Sequence, residues 1–281
     1  AARDAAERAR EAAEEAADNP EYDLAGSGQG SGGGFLSRVR AHTIFRDAKG
    51  RYEAGDYRAA HERLVEALAL DPEHDDALAL LAWSEYFLGY PRAAVMSFKA
   101  ALRRQPAWEG LYDGLGWSRH RLGRFHLAHE AFRTALDLDP DYVDAMIGAG
   151  STHLELGRHA TALPFLQTAL RRLEPLAGAK PAELPAVRAK VGWALYHLGR
   201  HQEALGHFET AVQARPQWHG LHVGIGWCLL ELDRPAEARE AFRRALALRR
   251  DDPDALEGLR RTGGTTVGAL PAVGTTTASG Q

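Results

Sequence analysis

The sequence predicts an all-α protein, an α-solenoid of six stacked helix-turn-helix repeats closed by a C-terminal capping helix. A 34-residue pattern recurs six times between Ala41 and Asp252, and every copy has alanine at two positions seven residues apart. A third position is always small, because two helices approach closely only where neither carries a bulky side chain at the crossing. The alanines are Ala60, Ala94, Ala128, Ala162, Ala204 and Ala238, then Ala67, Ala101, Ala135, Ala169, Ala211 and Ala245, and the small residues are Ala48, Ala82, Gly116, Gly150, Gly192 and Gly226.

Glycine and proline divide each repeat into two helices. The turn after the first helix has glycine in five copies and Asp233 in the sixth, which suits a helix that ends in a left-handed residue. Four repeats close with a proline that stops the second helix from continuing. The glycines are Gly55, Gly89, Gly123, Gly157 and Gly199, and the prolines are Pro72, Pro106, Pro140 and Pro216.

Composition separates four segments. Residues 1–24 predict an acidic helix with a short extended stretch, and residues 25–34 (AGSGQGSGGG) predict a flexible linker. The repeat array occupies residues 35–262, and residues 263–281 predict a disordered tail because they carry no charge and no periodicity. The repeats are expected at about 41–74, 75–108, 109–142, 143–176, 185–218 and 219–252, with the cap at 253–262.

A longer period shows that three repeats are duplicated. Trp83, Trp108 and Trp117 recur 110 residues later as Trp193, Trp218 and Trp227, and this displacement equals three repeats plus an eight-residue insertion. All six tryptophans belong to the duplication.

The ordered series of small residue, glycine, aromatic, alanine, aromatic, alanine and proline resembles the tetratricopeptide repeat family over about 212 of the 281 residues. The resemblance implies a right-handed superhelix in which the first helix of each repeat lines a concave groove. It also implies a non-enzymatic scaffold that binds a short segment of a partner protein.

Large aromatic residues occupy the first-helix positions that point into the groove in this family. Rigid aromatic rings are frequent anchors for peptides, and the same flat faces stack on sugars, so a polysaccharide-binding envelope or secretion factor is the alternative. A third alternative is a regulatory domain of a larger protein. These aromatic residues also have a purely structural interpretation, because tryptophans in helical repeats are often core residues. The predicted ligand-binding residues are Trp83, Trp117, Trp193, Trp227, Tyr52, Tyr86, His120, Arg121, Tyr196 and Lys49.

Arginine follows the first turn in repeats three to six. Equivalent residues of a solenoid align along one edge, so these four predict a basic edge for an acidic partner, or are simply soluble turn residues. They are Arg124, Arg158, Arg200 and Arg234.

The acidic N-terminal arm looks like a ligand tethered to its receptor. Residues 1–24 carry three arginines and eight acids, whereas the rest of the chain carries 31 basic and 30 acidic residues. The helix has an apolar stripe made almost entirely of alanine, so Tyr22 and Leu24 are the expected anchors. The segment from Asn19 to Leu24, with or without the helix, is expected to dock on the array as a partner segment fused by engineering. The alternatives are a native arm that covers the first repeat and an arm that stays in solvent.

Several functional classes are not expected. The near-neutral body argues against nucleic acid, no apolar run reaches the length of a membrane span, and no catalytic or cofactor motif stands out. A single cysteine, Cys228, and histidine pairs such as His126 and His129 without a nearby third ligand argue against a metal site. A cytoplasmic location is favoured, with the periplasm as the alternative if a leader has been removed.

Overall fold

A computed structural model describes residues 2–17, 34–176 and 183–263. Within these ranges the chain is all-α, with fourteen α-helices, one 3-10 turn (Glu174–Leu176) and no strand. The helices are α1 Ala2–Ala17, α2 Phe35–Glu53, α3 Tyr57–Leu70, α4 Asp75–Phe87, α5 Pro91–Arg104, α6 Glu109–Arg121, α7 Phe125–Leu138, α8 Val143–Glu155, α9 His159–Leu173, α10 Glu183–His197, α11 His201–Ala214, α12 His219–Glu231, α13 Pro235–Leu248 and α14 Pro253–Arg261. The linker and tail predicted at residues 25–34 and 263–281 lie outside the described residues, apart from Gly34 and Gly263.

The chain divides into two compact units, Ala1–Leu156 and Gly157–Gln281. In the first unit, α2, α4 and α6 pair with α3, α5 and α7, and the first helices α2, α4, α6 and α8 are neighbours in turn. The second unit repeats the scheme with α10 and α11, α12 and α13, and α14 against both α12 and α13. This arrangement confirms the predicted fold class of stacked helix-turn-helix repeats.

The helix ends follow the turn chemistry of the sequence. Glycine has a positive φ at the first turn, for example 80° at Gly55, and Asp233 adopts 58° at the same place in the last repeat. The left-handed conformation lets the chain reverse and start the second helix.

Repeats two, three, five and six each have a fully buried phenylalanine on the second helix (Phe98, Phe132, Phe208, Phe242). The ring takes the space beside a glycine of a first helix, since a Cβ built on Gly116 would lie 2.6 Å from Phe132. Glycine is therefore required at Gly116, Gly192 and Gly226 by the ring that packs on each.

Candidate functional site

The predicted groove tryptophans of the first unit are half-buried. Trp83 packs against Phe98 with ring centroids 5.2 Å apart, and Trp117 packs against Phe132 with centroids 5.3 Å apart. Both contacts are edge-to-face, a favoured geometry for aromatic pairs. These tryptophans thus contribute to the core as well as to the surface.

An aromatic cluster surrounds the last turn of α4, and we call Tyr52, Tyr57, Trp83, Tyr86 and Phe87 the Phe87 cluster. The ring of Phe87 lies 4.6 Å from Tyr57, 5.3 Å from Tyr86, 6.0 Å from Trp83 and 6.1 Å from Tyr52. Phe87 nevertheless remains 45% exposed. Burial raises the pKa of Tyr52 to about 12, so its hydroxyl stays neutral. The cluster presents aromatic rings to solvent, with Phe87 exposed and the other four residues half-buried.

Of the predicted polar residues, Arg121 contacts this cluster. The guanidinium of Arg121 lies 4.9 Å from the centroid of the Tyr86 ring and donates to the Tyr86 carbonyl oxygen. His120 contacts Trp117 and Phe125, with centroids 5.6 and 5.2 Å away. The predicted Lys49 is exposed and lies 4.0 Å from Glu53.

Asp113 is a buried acid on α6. It is 2% exposed, and its Oδ1 has no hydrogen-bond partner among the described residues. Burial and the charge of Asp144 hold the pKa of the Asp113 carboxyl well above its usual value, against a hydrogen bond from Trp117. An orphaned acceptor in a helical core is destabilising unless a ligand supplies the missing donor.

The second unit has a related aromatic group that contains histidines. His159 and His197 stack at 4.3 Å, and Tyr196 lies 5.3 Å from His197 and 5.8 Å from Trp193. Trp227 instead lies under Arg261 of the capping helix, with the guanidinium 5.1 Å from the ring.

The four arginines of the predicted basic edge occupy different environments. Arg200 and Arg234 make bidentate pairs with Glu203 and Glu237 three residues later, with both N–O distances at 2.7 Å in each pair. Arg124 is 5% exposed and faces the N-terminal helix. Arg158 is half-buried at the start of α9. The uniform basic edge stays a prediction.

The N-terminal helix α1 docks on the first unit, mainly on α7. The anchor is Glu15, which is 7% exposed. Its Oε2 and Oε1 accept from Nε and Nη2 of Arg119 at 2.9 and 2.7 Å, and Lys99 lies 3.3 Å away. Burial raises the pKa of the Glu15 carboxyl, but Arg119 and Lys99 outweigh burial, so the pKa lies below its usual 4.5.

A second glutamate of α1 caps α7. Glu11 Oε2 accepts from the backbone N–H groups of His126 and Leu127 at 2.9 and 3.0 Å, and its Oε1 lies 3.0 Å from His126 Nδ1. These are the second and third residues of α7, whose N-cap, Arg124, makes no side-chain cap. Glu11 thus caps the first turn of α7, as the N-cap residue Asp56 caps the first turn of α3.

Other charged residues of α1 face the same helix. Arg8 lies 3.3 Å from Glu130, and one ligand atom each of Asp4, Glu7 and His126 lies within 4.8 Å of the others. Local spacing pairs His126 only with nearby histidines, because carboxylates from a segment more than a hundred residues away leave no local pattern. Tyr22 and Leu24 lie outside the described residues.

Sequence reasoning missed the anchors Glu11 and Glu15 because it looked for large apolar side chains on α1. Their four-residue spacing, which puts both on one helix face, was the available signal. It missed Phe87 because that residue does not lie at the recurring tryptophan position. No helix within the described ranges combines the length and apolar character needed to cross a membrane.

Comparison with known proteins assigns the family. Two tetratricopeptide repeat profiles match, one at residues 45–107, 114–177 and 167–219 and the other at residues 195–261. The chain therefore belongs to the tetratricopeptide repeat family, whose members are generally non-enzymatic scaffolds for protein or peptide partners. No curated protein sequence matches the chain.

Solved structures share the fold at low sequence identity. A chain of the APC/C hetero-tetramer Cut9-Hcn1 superposes with a TM-score of 0.67 at 19% identity, over 79% of this chain and 42% of that one, so this chain spans less than half of it. PilF of Pseudomonas aeruginosa gives 0.66 at 18% identity over 78% and 97% of the two chains. YrrB, described as a protein with an unusual peptide-binding site, gives 0.58 at 20% identity over 70% and 97%.

Proposed function

We propose that the first unit binds a short segment of a partner protein on the aromatic face of its first helices, with the Phe87 cluster as the anchor surface. One observation carries the proposal: Phe87 contacts four other aromatic rings and is still 45% exposed. Exposed apolar patches on a folded chain mark interaction sites, and aromatic residues dominate the energetics of such sites.

The border of the cluster sets the chemistry of the partner. Arg121 is fixed over Tyr86, so a carboxylate of the partner meets a cation beside the aromatic surface. A segment with an aromatic or leucine anchor next to an acidic residue fits this arrangement. The peptide-binding site described for YrrB supports the proposal at the level of the fold alone.

Other predicted residues form further aromatic groups, each within its own unit. In the first unit, Trp117 and His120 contact each other on the last turns of α6, one repeat beyond the cluster. In the second unit, Trp193 and Tyr196 repeat the edge-to-face pair of Trp83 and Tyr86, with 5.8 Å between centroids in both. We assign them to partner binding as secondary contacts.

Selection of peptides from a phage-displayed random library on the full-length chain tests the proposal. Synthetic copies of the enriched peptides are then titrated by calorimetry. We expect Phe87→Ala or Trp83→Ala to weaken binding at least about tenfold, since both remove an aromatic anchor. Tyr90→Ala, which removes an exposed aromatic of the next turn, is the matched control and should change affinity less than about twofold.

Two results would overturn the proposal: the failure of any peptide to enrich, and full affinity in both the Phe87→Ala and Trp83→Ala chains. Soluble polysaccharides are titrated in parallel. Saturable binding of a polysaccharide, without any peptide, would replace the protein segment by the sugar ligand.

A further inference from the structure

We propose that Lys99, Arg119, Arg124 and the first turn of α7 form a recognition site for an acidic helix with two glutamates one turn apart. We call these residues the Glu15 site. Helix α1 is its resident occupant, and a partner helix with the same carboxylate spacing displaces it. This surface is separate from the Phe87 cluster, so the inference goes beyond the proposed function.

The Glu15 site is built from buried polar groups. The side chains of Arg119 and Arg124 are 13% and 6% exposed, and that of Glu15 is 7% exposed. Arg119 also donates through Nη1 to the Leu127 carbonyl oxygen at 3.1 Å, which fixes its guanidinium between α6 and α7. A guanidinium held in this way is preorganised for bidentate contact with one carboxylate.

A second element reads the other carboxylate. The N–H groups of His126 and Leu127 point at Glu11 from the positive end of the α7 dipole. Glu11 and Glu15 are four residues apart, so one face of a single helix reaches both elements. The site therefore selects the pattern Glu-x-x-x-Glu in a helix.

The resident helix is suited to exchange. Ala5, Ala9, Ala12, Ala13 and Ala16 of α1 are exposed, so docking buries little apolar surface and depends on charged groups. A buried ion pair contributes little net stability once desolvation is included. A partner helix that has the two glutamates and larger apolar side chains beside them would bind more tightly than α1.

Competition in the full-length chain tests the inference. The probe is a fluorescein-labelled peptide of residues 2–17, acetylated and amidated, followed by anisotropy. It is titrated into the wild-type chain and into the Glu11→Gln/Glu15→Gln chain, in which α1 no longer fills the site. Because the resident helix competes at an effective concentration on the order of millimolar, we expect at least about tenfold weaker binding to the wild type than to the variant.

Control variants separate this site from the Phe87 cluster. Glu14→Gln, which alters an exposed glutamate paired with Arg10 within α1, should behave as the wild type. Adding Arg119→Leu to the vacated chain should abolish binding, whereas adding Trp83→Ala should leave it unchanged. Far-UV circular dichroism confirms that each variant keeps its helical content.

Three outcomes would overturn the inference. The first is equal binding of the probe to both chains, and the second is retained binding after Arg119→Leu. The third is no binding to the vacated chain at a peptide concentration of about 1 mM, which is of the order of the effective concentration of the resident helix. A probe with glutamine at positions 11 and 15 must also fail to bind. If this test fails, the proposal for the Phe87 cluster is unaffected. Likewise, the effect of Phe87→Ala on peptide binding does not bear on the Glu15 site.

Discussion

The two units of the chain share two repeats that correspond by sequence, yet they differ where the chemistry lies. Residues of repeats two and three correspond to residues of repeats five and six at a spacing of 110, so the second unit serves as a natural control for the first. Lys99 and Arg119, which bind Glu15, correspond to Glu209 and Leu229. The second unit thus keeps the repeat but lacks the charges that hold an acidic helix.

The start of the second helix shows the same contrast. Arg124 and Arg234 are equivalent, but the third residue of the following helix is Leu127 in one and Glu237 in the other. Glu237 pairs with its own Arg234, whereas the start of α7 receives Glu11 from α1. In the second unit a glutamate of the repeat itself forms a pair at the start of the second helix. In the first unit a carboxylate of α1 binds there instead.

The largest effect is expected when the first unit is given the residues of the second. Lys99→Glu/Arg119→Leu removes the two cations that hydrogen-bond Glu15 and leaves only Arg124, 4.0 Å away, so we expect docking to weaken by roughly 3–5 kcal/mol. We expect α1 to undock and the amides of residues 2–17 to exchange with solvent at least about tenfold faster. Hydrogen exchange with mass spectrometry measures this, and unchanged protection of α1 would break the comparison.

Arg200→Leu is the matched control. It removes an arginine from the turn before α11, where the guanidinium pairs with Glu203 and not with α1. Exchange of residues 2–17 should stay as in the wild type.

The second expected effect is on pH. The pKa of Glu15 is lower in the docked state than its usual 4.5, so its contribution to docking is complete above about pH 4.5. It disappears as the pH falls through the docked pKa, because protonation removes the charge that Arg119 and Lys99 bind. Hydrogen exchange of α1 between pH 6 and 3 should show this loss, and a Glu15→Gln chain should lack it over the range in which circular dichroism reports a folded array.

A third effect concerns Asp113, whose equivalent in the second unit is Val223, 4% exposed. Asp113→Asn removes a buried charge and still accepts from Trp117, so we expect the free energy of unfolding to rise by about 1–3 kcal/mol at neutral pH. The pKa of Asp113 is raised in the folded state, so the gain should vanish at a pH below its usual 3.8. Denaturant titrations at both pH values check it; equal stability at neutral pH would mean that the acid is not strained.

A smaller effect of pH is expected at the aromatic group of the second unit and not at that of the first. Tyr57 and Phe87 stack in the first unit, and His159 and His197 stack in the second. Burial lowers the pKa of both histidines below the usual 6.5, and His159 lowers that of His197 further. The histidine stack should persist above about pH 6.5 and be lost as the pH falls through those pKa values, a transition that NMR titration of the imidazole protons detects. A titration midpoint above 6.5 would contradict it.

The smallest effect is expected at the self-paired turns. Glu203→Gln and Glu237→Gln break ion pairs that are exposed to solvent, and screening leaves such pairs little energy. The thermal midpoint should not change measurably. A clear loss of stability would show that these turns depend on their glutamates as α7 depends on Glu11.

The fold could be predicted from the sequence because the same residue pattern recurs in all six repeats. The left-handed turn at Gly55 and the close approach of Phe132 to Gly116 are local requirements of the pattern. The Glu15 site could not be predicted in this way. It joins Glu15 to Arg119 across 104 residues, and nothing in the composition of an alanine-rich helix shows which surface it meets.

The most direct test locates the acidic helix on the array. A peptide of residues 2–17 with a diazirine amino acid in place of Ala12 is photo-crosslinked to the full-length Glu11→Gln/Glu15→Gln chain, and the adducts are mapped by mass spectrometry. We expect crosslinks to α5, α6 and the turn into α7, where Lys99, Arg119 and Arg124 lie. Crosslinks to the equivalent helices α11, α12 and α13, or spread equally over both units, would contradict a site that only the first unit possesses.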